Sequence, residues 1–183
     1  GTLNANGDLE INLSVNPTEK LSEEERELYI SNLSYGFQYV CGNPGDFPEG
    51  EAKIASSAQH IALWADNTWA GVLFPVSDLK LQLWMEDNGF NDAVEGSFYQ
   101  VLLVTEDVNL QKKCTNFDYY NDEDIEVNVE YDLKLKKGLN LIAYQLESVY
   151  KTNPDIRASF PKKIRMTNAG DNPKIMWIAK YFF

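Results

Sequence analysis

Ile125-Glu-Val-Asn-Val-Glu-Tyr-Asp-Leu-Lys-Leu135 decides the fold class of this 183-residue chain. Ile125, Val127, Val129, Tyr131, Leu133 and Leu135 alternate without a break against Glu126, Asn128, Glu130, Asp132 and Lys134. A side-chain period of two puts the first set on one face of a strand and the second on the other. One face is therefore buried and one wet, as in an antiparallel sheet. Lys136-Lys137-Gly138 then turns the chain, and Leu139 begins a second strand.

The same pattern spreads outward. Leu9, Ile11, Leu13 and Val15 form another half-buried strand, stopped by Pro17. Tyr35–Cys41, Lys53–Ser57, His60–Ala65, Gly71–Phe74, Leu79–Met85, Phe98–Thr105, Leu139–Tyr150, Lys162–Met166 and Lys174–Phe182 also read as strands. Phe98–Thr105 is apolar on both faces, the mark of an interior strand. Residues 22–32 break the pattern. Ser22 followed by Glu25 is a capping box, and Glu23, Glu24 and Glu25 suit the positive end of a helix dipole, so a short surface helix is expected there. Gly42–Gly50 reads as a loop and Asn168–Pro173 as a turn cluster. About ten strands with one helix predict an all-β protein, an antiparallel β-sandwich forming a single domain over residues 1–183.

Composition limits the function. The apolar share of 44% excludes a disordered chain. No apolar run approaches the ~20 residues of a membrane-spanning helix. The net charge of −12 repels phosphate backbones, so nucleic acid is not an expected partner. Residues 151–183 run the other way, with 7 basic and 2 acidic side chains. Strands of that basic tail are expected beside acidic ones, in cross-strand pairs. Cys41 and Cys114 leave two readings open: a bridge formed in an oxidising compartment, or two separate buried thiols.

Tyr99-Gln-Val-Leu-Leu-Val-Thr-Glu-Asp-Val-Asn-Leu110, then Cys114, then Tyr131-Asp-Leu-Lys-Leu-Lys-Lys-Gly-Leu-Asn-Leu-Ile142, resembles secreted lipoproteins of the Bacteroidetes. Those carry a strand pair around a cysteine before a Leu-Lys-Lys-Gly-Trp-Asn hairpin; here Leu139 stands at the tryptophan. The resemblance implies an exported β-sandwich, periplasmic or extracellular, on a lipid anchor upstream of Gly1. Its only membrane contact would be that anchor. The resemblance carries over no catalytic residue.

The chemistry-bearing residues point to binding more than to catalysis. His60 is the only histidine and sits in an apolar strand, and no Gly-x-Ser-x-Gly turn presents a nucleophile. One histidine without a paired-cysteine motif disfavours zinc. A hydrolase driven by two carboxylates remains an alternative that 28 acidic residues neither support nor dismiss. Calcium is the better metal. Asp118, Asp122 and Asp124, with Asn121 and Glu123, crowd one expected loop, and Glu86, Asp87, Asn88, Asn91 and Asp92 another. Sugar stacking needs flat exposed aromatic rings with polar neighbours. Trp69, beside Asp66-Asn67-Thr68, and Tyr119 and Tyr120, inside the acidic loop, are the candidates. Trp64, Trp84 and Trp177 lie within strands and are expected in the core. The expectation is a non-enzymatic exported domain binding a glycan or a cell-surface protein through one loop end. The alternative is a structural subunit of an envelope assembly.

Overall fold

The computed structural model describes residues 1–11, 18–42, 53–58, 61–120, 123–151, 153, 158–170 and 173–182, with backbone alone at 53–58, 118–120 and 123. In chain order the elements are β1 (Thr2–Leu3), β2 (Leu9–Glu10), α1 (Glu23–Tyr29), β3 (Ser31–Asn32), a 3-10 turn (Leu33–Gly36), β4 (Lys53–Ala58), β5 (Ile61–Ala65), β6 (Thr68–Val76) and α2 (Leu79–Glu86). They continue as β7 (Gly96–Val104), β8 (Val108–Tyr120), β9 (Glu123–Leu135), β10 (Gly138–Tyr150), β11 (Phe160–Asn168) and β12 (Met176–Tyr181). β1 and β2 pair with each other. The large sheet runs β12-β6-β7-β10-β11-β9-β8, with β5 on β6 and β4, which also carries β3, on β7. The protein is mostly β, as its alternating stretches predict. Part of the expected Leu9–Val15 strand, most of the expected loop (residues 43–50) and His60 lie outside the described residues.

β9 shows why the alternation works. Ile125, Val127, Val129, Tyr131, Leu133 and Leu135 are all buried, facing Phe98, Leu102, Ile142, Tyr144, Leu146, Ile164 and Met166 in one core. β7 is buried on both faces, with Phe98, Leu102 and Val104 on one and Tyr99 and Leu103 on the other. The wet face of β9 carries expected charge pairs: Lys113 Nζ lies 3.1 Å from Glu130, and Arg165 donates to Asp132 at 2.7 Å. Between β10 and β11, Lys163 meets Glu147 at 2.5 Å. The basic C-terminal strands thus neutralise acidic neighbours, each exposed pair adding little stability alone.

Several elements differ from the sequence reading. Leu79–Met85 is helix α2, not a strand. Asp78 caps it, accepting from the Lys80 N–H at 2.8 Å. Leu81 and Trp84, three apart, are buried while Leu79 and Leu83 are exposed, which is helical spacing imposed on a stretch that also alternates. α1 forms on its capping box: Glu25 N–H donates to Ser22 Oγ at 3.2 Å, and Ser22 N–H to the Glu25 carboxylate at 2.8 Å. It ends at Tyr29 because Ser31 and Asn32 pair with β4. Among the described residues there are thus two α-helices where one was expected. The sheet is mixed rather than wholly antiparallel, because β9 and β11 run parallel. Leu135 and Leu139 do not begin a paired hairpin: β11 lies between β9 and β10. Asn168 closes that junction, its side-chain amide bonding both Lys134 N–H and Lys134 C=O at 2.8 and 3.1 Å. β8, polar along much of its length, is an additional strand.

Tyr35–Cys41 is not a strand either. After the 3-10 turn it runs as a strap whose backbone is bonded by side chains of the sheet. Gln100 Nε2 donates to Gly36 C=O at 2.8 Å, and the Gln38 N–H donates to Tyr144 Oη at 3.2 Å. Tyr131 Oη donates to Tyr39 C=O at 2.5 Å and accepts from the Cys41 N–H at 3.2 Å. Asn116 Nδ2 donates to Val40 C=O at 2.7 Å, and Cys41 is joined to Cys114 by a disulfide with the Cα atoms 5.6 Å apart. A buried backbone needs a partner for each polar group; here phenols and amides on β7, β8, β9 and β10 supply them.

Candidate functional site

Among the described residues, exposed aromatic side chains gather on β5, β6 and β12. The β5–β6 connection is a two-residue turn in which Asp66 and Asn67 have φ of 47° and 65°. Two consecutive left-handed residues make the hairpin turn that matches strand twist, and Asp and Asn tolerate that region best after glycine. Ala65 then faces Thr68 and Trp64 faces Trp69, with a bulge between Leu63 and Trp64. Directly opposed residues share a face, so the turn places both indoles on one face of the hairpin. Trp64 is 66% exposed and Trp69 52%.

Trp69 is nevertheless fixed. Its Nε1–H donates to Gly71 C=O at 3.0 Å, and its ring meets Phe182 edge-on, centroids 4.7 Å apart at 77°. The Phe182 N–H donates to Ala70 C=O at 3.0 Å, prolonging the β6–β12 pairing to the rim of the site. Register extends the same face across β12, since Tyr181 pairs with Gly71 and Trp177 with Pro75. Tyr181 is 51% exposed and Trp177 37%. Gly71 lets β12 approach this closely: a Cβ there would stand 2.3 Å from Lys180 C=O. Asp66 is the only charged residue from Ile61 to Gly71, and Asn67 and Thr68 add polar groups at the tip. A rigid, wet, aromatic surface with hydrogen-bonding neighbours can stack against the C–H face of a ring.

Of the sequence candidates, Trp69 is at this site. Trp64 and Trp177, expected in the core, are exposed instead, on strands that among the described residues pair with β6 alone and so lie at edges of the sheet; Trp84 is the buried indole. The stretch expected as an acidic loop around Asp118–Asp124 is the paired end of the β8–β9 hairpin. Position 118 stands opposite Ile125, 119 opposite Asp124 and 120 opposite Glu123. Consecutive strand positions belong to opposite faces. Positions 119 and 120 therefore belong to opposite faces of the strand pair, as do positions 118 and 124. Asp122 lies outside the described residues. β7, β10 and β11 separate this hairpin from β6 in the sheet, so positions 119 and 120 do not adjoin Trp69 along it.

In the second acidic stretch, Glu86 pairs with Lys180 and accepts from Gln82, and Asp92 accepts from the Ser159 N–H at 2.7 Å. Among the described residues, no three His, Cys, Asp or Glu side chains gather to hold a metal ion. Among the described residues, the carboxylates with shifted acidity all move down. Asp107 is held low by Lys136 and the Lys137 N–H, Asp132 by Arg165 and Gln111, and Glu25 by the Ser22 backbone and hydroxyl. A glycosidic general acid needs a shift upward.

No protein-family model, curated protein or solved structure matches this chain.

Proposed function

We propose that this protein is a non-enzymatic glycan-binding domain that works outside the cytoplasm. The exposed, directly opposed pair Trp64 and Trp69 carries the reading. Two exposed indoles at opposed positions on one hairpin face are the kind of apolar patch that marks a binding surface. The hydrogen bond and edge contact that fix Trp69 reduce the entropy lost when a ligand stacks on it. The polar Asp66-Asn67-Thr68 tip would then take sugar hydroxyls. The disulfide from Cys41 to Cys114 supports an oxidising compartment, periplasmic or extracellular.

Titration of soluble oligosaccharides against tryptophan fluorescence and melting temperature tests it. A binding glycan raises the melting temperature by mass action. Trp64→Ala removes a ring that holds nothing else in place, so it should weaken binding by about tenfold or more while leaving the melting temperature unchanged. A broad glycan panel without any response, or a Trp64→Ala variant that binds as the parent does, refutes the reading.

A further inference from the structure

We propose that the hairpin face bearing Trp64 and Trp69 selects a cationic glycan, one built of amino sugars whose nitrogens are protonated. The inference rests on the glycan-binding reading of that face and names the class of sugar it takes. Its basis is the charge at the hairpin tip. Asp66 sits in the turn between the two tryptophans and is the only charged residue from Ile61 to Val76. It is exposed, and it enters none of the ion pairs among the described residues. Consecutive Cα atoms are about 3.8 Å apart, so the Asp66 Cα stands at most about 7.6 Å from that of Trp64. That is inside the Debye length of about 8 Å at physiological ionic strength, so a charge held over the indole feels the carboxylate. Lys180 is the one basic residue of β5, β6 and β12, and Glu86 on α2 already pairs with it.

The indoles favour the same sign of charge. The face of an aromatic ring is electron-rich, and tryptophan is the strongest of the aromatic partners for an ammonium. Trp64 and Trp69 oppose each other on one hairpin face and are 66% and 52% exposed. Phe182 and the bond to Gly71 C=O hold the Trp69 ring in place beforehand.

An amino sugar meets both demands at once. With its substituents equatorial, as in a chitin-type chain, a glucosamine ring offers flat C–H faces to an indole and carries its ammonium at the ring edge. A polyamine has the charge without the stacking face, and an N-acetylated sugar has the face without the charge. Uronates and sulfated sugars are repelled by Asp66 and by the net charge of −12, a field that draws cations to the surface. A neutral sugar still stacks, but its hydroxyls only exchange bonds to water for bonds to the carboxylate, which gains little.

Calorimetric titration of the full chain with glucosamine oligomers, and with the same oligomers N-acetylated, tests this at mildly acidic pH and physiological salt. The parent should bind the cationic oligomer about tenfold more tightly. Asp66→Asn keeps a residue that tolerates the φ of 47° there, so the turn is retained. It should remove the preference and leave binding of the N-acetylated oligomer unchanged. Trp64→Ala should weaken both, and spermine should not displace the cationic oligomer. Equal affinity for the two oligomers, or a preference that Asp66→Asn leaves intact, overturns the proposal while the glycan reading stands. Binding of other glycans but of neither oligomer does the same. A preference that survives Trp64→Ala, or that spermine competes away, marks diffuse attraction to an acidic chain and also overturns it. If no glycan binds at all, both readings fall.

Discussion

Tyr144→Phe isolates the contribution of side-chain bonds to holding the strap. The phenol is fully buried, donates to Gln100 Oε1 and accepts from the Gln38 N–H at 3.2 Å. Its ring stacks on Phe98 with centroids 4.6 Å apart and planes within 4°. Phenylalanine keeps that stack and the packing, so no cavity term enters. What is lost is the partner of one backbone donor and one amide acceptor, both in low dielectric. Leaving such a group unsatisfied costs about 1–3 kcal/mol, so the variant should lose about 3 kcal/mol. Urea unfolding with the disulfide intact reads this as a lower midpoint at unchanged slope. Tyr29→Phe, on an exposed ring of α1, should shift it by less than about 0.5 kcal/mol. Because Gln100 also holds Gly36 C=O, adding Gln100→Leu to Tyr144→Phe should cost less than the two single losses combined. A Tyr144→Phe variant within about 0.5 kcal/mol of the parent would refute the reasoning, and would mean that the strap rests on apolar packing and the disulfide alone.

The same burial gives a response to alkali. Desolvation raises the phenols of Tyr131 and Tyr144 well above their ordinary value of 10.0, so the folded state holds both protons more tightly than the unfolded chain. Their contribution is complete below pH 10 and declines above it, by up to about 1.4 kcal/mol per pH unit for each phenol; phenolate absorbance from these two should appear only with unfolding. Replacing Cys41 and Cys114 together by alanine opens a cross-link between residues 73 apart. In the chain-entropy model this should cost about 4 kcal/mol, read from the urea midpoint of the variant.

The alternation in β9 and the capping box of α1 were legible because each is decided by neighbours in sequence. α2 was not, because Leu79, Leu81 and Leu83 satisfy a period of two while the buried pair Leu81 and Trp84 satisfies a helical one; the Asp78 cap was the signal that separates them. β8 was hidden by its inward positions. Cys114 and Asn116 are there to hold the strap, so that face carries no continuous apolar series. The strap shows the same cause from the other side, since its partners Gln100, Asn116, Tyr131 and Tyr144 lie far along the chain. Trp69 was placed by the turn residues before it. Trp64 was not, because strand period tells which side chains share a face and leaves open whether that face is covered.

The position of β11 bears on how the chain folds. β9 and β10 are consecutive, antiparallel and joined by only Lys136 and Lys137, which ordinarily makes the fastest of all pairings. Yet their native places are one strand apart, and the segment that fills the gap, Phe160–Asn168, is made later. A growing chain that has reached Tyr150 can close β9 on β10 and must part them again to admit β11. The final sheet therefore cannot nucleate from its most local contacts there. Folding should be slow for a chain of this size, and until residue 168 has emerged its longest strands have open edges, which exposes it to aggregation.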